Sequence, residues 1–208
     1  MQIILRKSYN TTNKIYFFTA TIHNWLPLLE EDNNQKMIIN YLKKLSDEGM
    51  ITVFAFVLMP NRVHFIWWQN KLNGKETPQG SFLKYTAHEF LKKLKIKGQS
   101  KMYEVYAANK KHELWQRDSL SVEIYSRAVA KQKLQYIHFN PVSGKWKLSK
   151  DDLDYHYSSA RFYEMGFDEF GFLNNLYKVF DGDWFVECAT NQGEGGRRKN
   201  GTIETDRA

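Results

Sequence analysis

The chain has 208 residues, 42% hydrophobic and 15% aromatic, with a formal net charge of +7 and a pI near 9.3. Those values suit one well-packed domain with a basic surface, and they rule out a low-hydrophobicity disordered chain. One cysteine, Cys188, excludes an internal disulfide and a cysteine-based metal cluster.

No run of about eighteen apolar residues is present, so no membrane span is expected. Met1-Gln2-Ile3-Ile4-Leu5-Arg6-Lys7 lacks the apolar stretch and cleavage site of a secretory signal. The expected compartment is the cytoplasm. A basic surface favours polyanions, nucleic acid among them.

Lys14 to His23 is aromatic and β-branched and reads as a strand. Asn33 or Asn34 can cap the next helix, in which Ile38, Tyr41, Leu42 and Leu45 fall at i, i+3, i+4 and i+7. Gly49 is its stop. Ile51–Leu58 and Arg62–Gln69 are two apolar runs joined by a tight turn, and predict an antiparallel hairpin. On the second run Val63, Phe65 and Trp67 share one face, and Arg62, His64, Ile66 and Trp68 share the other. An imidazole and a guanidinium on one sheet face are an unusual thing to bury and a reasonable thing to build into a site.

Thr77-Pro78 suits a helix start. Leu83, Ala87, Phe90, Leu91 and Leu94 form its apolar stripe, and Lys84, Lys92, Lys93, Lys95 and Lys97 fall on the same helix and its end. Ser121 to Tyr125 reads as a fourth strand. Ser126 caps a helix running to about Phe139, because Pro141 restricts the residue before it. On this helix Gln132, Tyr136 and Asn140 are four apart and lie on one face, while Leu134 and Ile137 lie on another.

The order strand, helix, strand, strand, helix, strand, helix gives an α+β fold. Its first six elements match a ferredoxin-like antiparallel sheet with helices on one face. One domain is expected over residues 1–188. From 189 to 208 a disordered tail is expected, with four glycines in the twelve residues after Thr190 and no apolar periodicity.

Met59-Pro60-Asn61-Arg62-Val63-His64 resembles the His-hydrophobic-His (HUH) motif of the tyrosine transposases of insertion sequences. The likeness is to their REP-associated branch, which reads Met-Pro-Asn-His-Val-His there. Tyr136-Ile137-His138-Phe139-Asn140-Pro141-Val142 resembles that family's nucleophile segment. Leu114-Trp115-Gln116-Arg117-Asp118 and Asp154-Tyr155-His156-Tyr157-Ser158-Ser159-Ala160 are similar to two further landmarks in the same order. The likeness runs from about Tyr16 to Tyr163.

The resemblance implies cleavage and rejoining of single-stranded or hairpin DNA through a 5′-phosphotyrosine, in DNA transposition. By it Tyr136 is the nucleophile, and His64 and Asn140 are ligands of Mg²⁺ or Mn²⁺. It also implies a homodimer. A divalent ion of this kind polarises the phosphate and stabilises the charge that develops.

Arg62 stands where the family's first histidine belongs. A guanidinium stays protonated and has no acceptor lone pair, so it cannot ligate a metal. Three readings follow. Nicking is lost and the chain is a nucleic-acid-binding module; or Arg62 holds the scissile phosphate itself; or His138, His112 or Glu123 replaces the ligand. Arg62, Trp68, Lys84, Lys92, Lys93, Lys131, Lys133 and Arg117 are the candidate DNA contacts.

Overall fold

The structure is a computed structural model and describes residues 11–117, 119–144 and 146–181. Its framework is the strands β1 (Lys14–Thr21), β2 (Ile51–Met59) and β3 (Arg62–Gln69), with the helices α1 (Asp32–Asp47) and α2 (Pro78–Ile96). A short hairpin follows, β4 (Glu104–Ala107) and β5 (Lys110–His112), then β6 (Leu120–Glu123) and the helix α3 (Arg127–Phe139). A last small helix, α4 (Ala160–Met165), completes this compact unit, which extends to Asn175. Leu176–Phe180 forms α5, in a separate unit. The expected domain end at 188 and the tail from 189 lie outside the described residues.

The main sheet runs β2-β3-β1-β6 and is antiparallel at every pairing. That is the strand order of a ferredoxin-like βαββαβ unit, with β4 and β5 inserted before the last strand. The Pro60–Asn61 turn joins Met59 directly to its partner Arg62. The register then sets Arg62 opposite Thr21 and His64 opposite Thr19.

The sheet separates two environments. Val63, Phe65 and Trp67 face a core shared with Phe18, Ile38, Tyr41, Leu42 and Leu45, and with Phe82, Phe90 and Leu94 of α2. Phe82 is the hub, with its ring against those of Phe18, Phe65, Trp67 and Trp115. His64 and Phe17 face the other way, and α3 lies over them. So α1 and α2 share one face and α3 takes the opposite one.

Both residual likeness segments act as structural pieces. Leu114 to Gln116 extends β1, through His23 N–H to the Leu114 carbonyl and Gln116 N–H to the Thr21 carbonyl. Trp115 Nε1 donates to Thr86 Oγ1 at 2.9 Å. Tyr157 to Ser159 lies along the free edge of β2, where Leu58 N–H donates to the Tyr157 carbonyl and Ser159 N–H to that of Phe56. An exposed edge strand is thereby covered.

Three local expectations need correction. Helix α1 begins at Asp32 rather than after Asn33 or Asn34, and Glu31 at the cap makes no side-chain bond. Asn34 is buried, and its amide donates to the Leu28 carbonyl. Strand β6 covers Leu120–Glu123, one residue earlier than expected, and ends before Tyr125. The apolar stripe of α2 is centred on Phe82, Phe90 and Leu94, with Leu83, Ala87 and Leu91 only partly buried beside it. Gly49 does terminate α1, at φ +66°.

Candidate active site on the outer face of the sheet

His64 is 2% exposed, on the sheet face that α3 covers. Thr19, its partner across the strands, places Oγ1 2.8 Å from Nδ1. The Asn140 amide Nδ2 lies 3.4 Å from Nε2. The consistent assignment has Nδ1–H donating to Thr19 and a bare Nε2 accepting from Asn140. Burial, with the Arg62 charge second, holds the imidazole pKa down at about 3. His64 is therefore neutral at physiological pH and keeps an acceptor lone pair at Nε2.

Helix α3 delivers the other groups. Ser126 Oγ accepts from Val129 N–H at 3.3 Å and fixes the helix start. Ala130, Leu134 and Ile137 are buried and seat the helix on the sheet. That seating turns Tyr136 and Asn140 toward the same imidazole. The Tyr136 ring meets His64 edge-on at 5.3 Å and Phe17 edge-on at 5.7 Å. It remains 47% exposed, so a substrate can reach its hydroxyl. Phe17 stacks on His64 at 5.8 Å, and Lys133 Nζ sits 4.8 Å from the Phe17 ring centre. A half-exposed phenol, a buried neutral imidazole and an ammonium group one helical turn from the phenol thus converge on one aromatic residue.

An open cleft of about 510 Å³ lies beside Tyr136, lined by Gln132, Gln135, His138, Phe139 and Asp152. Its amides and the exposed Phe139 ring can meet a polar, flat ligand.

Arg62 does not point its charge at the His64–Asn140 pair through any bond to either. Its Nε donates to Asn61 Oδ1 at 3.2 Å. Its guanidinium carbon lies 5.0 Å from the Trp25 ring centre and 5.6 Å from that of Trp146. Two indoles therefore hold the arginine that lies two residues before His64 on β3. Asn61 links the group, since its amide also donates to the Trp25 carbonyl at 3.1 Å. Neither tryptophan was singled out in the sequence, because both are remote from Arg62 along the chain.

The donor set is one imidazole and one amide. No group of three or more His, Cys, Asp or Glu side chains able to hold a metal occurs among the described residues. The replacement ligands considered above are engaged elsewhere: His138 Nε2 with Ser159 Oγ at 2.9 Å, His112 facing Glu104 at 3.8 Å, and Glu123 with Lys14 at 2.7 Å. These residues do not fit a three-ligand divalent-ion site, which needs a further oxygen or nitrogen donor where Arg62 stands.

The remaining expected DNA contacts are dispersed. Trp68 shares the His64 face but lies four residues further along β3, about 13 Å away at strand spacing. Trp67 is fully buried, and of the two only Trp68 is partly exposed. Lys84, Lys92 and Lys93 lie on α2, on the opposite side of the sheet. Lys84 pairs with Glu76 at 2.6 Å, and Lys93 ties the start of α1 through Asn33 and Asn34. Arg117 faces Glu113 at 3.8 Å. Lys131 and Lys133 lie on α3, with Tyr136.

No helix among the described residues is long and apolar enough to cross a membrane. No family model matches the sequence, and no curated protein matches it. The fold does match a solved structure of a REP-associated tyrosine transposase bound to a REP hairpin. The TM-score is 0.57 at 18% identity, over 84% of this chain and 93% of that one. At that identity the likeness is one of fold.

Proposed function

We propose that this protein binds single-stranded or hairpin DNA and acts on it as a transposase-like enzyme, with Tyr136 as the nucleophile. The observation that carries the reading is the convergence of Tyr136, His64 and Asn140 on one side of a ferredoxin-like sheet. The DNA hairpin held by the structural neighbour supports the ligand class. The net charge of +7 suits a polyanion.

The chemistry is a transesterification. The Tyr136 oxygen attacks the phosphorus and forms the phosphotyrosine bond. The bond from phosphorus to the 3′ oxygen breaks, and that oxygen leaves as a free 3′-hydroxyl with the proton the phenol gives up. The reverse attack by a 3′-hydroxyl rejoins the strand. Lys133, one turn before Tyr136, offers a cation for the phosphate. Asn140 holds the imidazole in one orientation. Arg62, in place of a third donor, is expected to weaken Mg²⁺ or Mn²⁺ binding beside His64 and Asn140.

A second reading has its own observation. With Arg62 held between two indoles and only two neutral donors left, a domesticated binding module that does not cleave fits the same site. A denaturing-gel assay separates them. Single-stranded hairpin oligonucleotides are incubated with native protein, Tyr136→Phe and Arg62→His, with Mg²⁺ or Mn²⁺. A covalent adduct from native protein that disappears in Tyr136→Phe supports the enzyme. An adduct from Arg62→His alone supports a binding module derived from one. Salt-sensitive binding with no adduct from any form counts against Tyr136 as a nucleophile.

A further inference from the structure

We propose that the exposed indole of Trp25 is a stacking platform for an unpaired nucleobase, backed by the Arg62 guanidinium. The proposal rests on the reading of the protein as a binder of single-stranded DNA, and names a residue that grips the strand beside Tyr136.

Trp25 is 54% exposed, which is unusual for the largest apolar side chain. Its backbone sits in the left-handed region at φ +58°, directly after Asn24 at φ +52°. A bulky residue is disfavoured there, and two in succession persist only where the surroundings impose them. The surroundings are specific. The Trp25 N–H donates to the Ile22 carbonyl at 3.0 Å, and its own carbonyl accepts from the Asn61 amide. Asn61 in turn holds Arg62, whose guanidinium lies over the indole at 5.0 Å. The ring is thus fixed against a cation and presented to solvent, at an unfavourable backbone conformation.

The location narrows the ligand. Arg62 is two residues from His64 on the same sheet face, about 7 Å away at strand spacing. A strand whose phosphate lies at Tyr136 has Trp25 within the reach of a few nucleotides, through Arg62 and His64. An indole face with a guanidinium behind it and anionic backbone beside it is the arrangement by which proteins hold unpaired bases without reading sequence. A paired base hides its face in the stack and cannot use it.

The test compares two strands by fluorescence anisotropy. One is a thymidine 20-mer, and the other is an abasic strand of the same length, with phosphates and no bases. Trp25→Ala is expected to weaken binding of the thymidine strand about 5- to 150-fold, the range for loss of one stacking aromatic. On the abasic strand the two proteins bind alike, since no base is there to stack. Trp25→Phe, which keeps an aromatic face, recovers most of the loss. Equal affinity of native protein and Trp25→Ala for the thymidine strand overturns the proposal alone. So does an equal loss on both strands. Failure of native protein to bind either strand overturns this inference, and failure to bind a hairpin oligonucleotide in the same assay overturns the functional reading as well.

Discussion

Asn140 and His64 meet at 3.4 Å, amide nitrogen to imidazole Nε2, although 75 residues of chain separate them. The contact ties the end of α3 to β3. It fills the one lone pair of the imidazole that faces the site, and it does so from the helix that carries Tyr136. Rotating that amide by half a turn would present its oxygen on the same side, so the residue can act as donor or acceptor without moving the backbone.

Replacing Asn140 with aspartate places a carboxylate against a buried neutral imidazole. An anion there favours the imidazolium. The His64 pKa is expected to rise from about 3 by several units in Asn140→Asp. NMR titration of the His64 ring protons reads the change directly, and an unmoved midpoint would show that the two side chains do not face each other in solution.

Tyr136→Phe removes one hydroxyl from a half-exposed ring. The edge contacts with His64 and Phe17 involve the ring and survive. Thermal stability should stay within about 0.5 kcal/mol of native. Strand affinity should change less than about threefold, while covalent adduct formation is lost. A large fall in melting temperature would make the tyrosine a packing residue.

Arg62→His puts a second imidazole two residues from His64 on the same face. It also removes the cation from between Trp25 and Trp146. Mn²⁺ is expected to raise the melting temperature of this variant and leave native protein unmoved, since ligand bound only to the folded state stabilises it. Equal shifts in both proteins would mean that the ion binds elsewhere.

Acid should destabilise the fold through two histidines. Burial holds the His64 pKa at about 3 and that of His138 at about 4, against about 6.5 when unfolded. The unfolded chain therefore takes up protons first as pH falls below 6.5. Each histidine costs about 2 kcal/mol of stability between pH 6.5 and pH 5, and nothing above pH 7. Urea melts at pH 5 and 7 should show this loss, and His138→Gln should remove roughly half of it.

Phe82→Ala is expected to cost about 3–5 kcal/mol, the range for a fully buried aromatic. The ring lies on the far side of the sheet from Tyr136. Where the variant still folds at low temperature, its strand affinity should match native. Urea unfolding and anisotropy on one preparation check both halves.

Much of this arrangement could be read along the chain because its signals are local. The two apolar runs around Pro60–Asn61 read as strands, in which side chains alternate between faces, so the facing of His64 away from Phe65 followed from counting. Ser126 and Pro141 bracket α3, and both of its ends came out as expected. Thr77 caps α2 in the same way, its hydroxyl accepting from Gly80 N–H. Where signals were redundant or weak, the reading failed. Asp32, Asn33 and Asn34 are all competent caps, yet none of them caps α1: the helix starts at Asp32 behind Glu31, and Asn34 is buried with its amide on the Leu28 carbonyl. The β4–β5 hairpin is short and charged, with no apolar alternation to announce it. The stripe of α2 was taken from Leu83 onward, so Phe82 was missed, although its spacing to Thr86 and Phe90 is regular. The clasp on Arg62 comes from Trp25 and Trp146, at opposite ends of the unit, and no pattern in either neighbourhood points to it.

The two-residue link at Pro60–Asn61 has a consequence for how this chain can change over time. By pairing Met59 directly with Arg62 it sets the register that decides which side of the sheet every later β3 side chain occupies. A slip of that pairing by one residue, as from an extra residue at the head of β3, would send the imidazole into the aromatic interior and turn Phe65 and Trp67 out toward α3. Exchanges of one residue for another at position 62 leave that parity untouched. Substitution at position 62 can therefore change the chemistry of this face and keep the fold, while a change of pairing at the same spot exchanges the two faces of the strand.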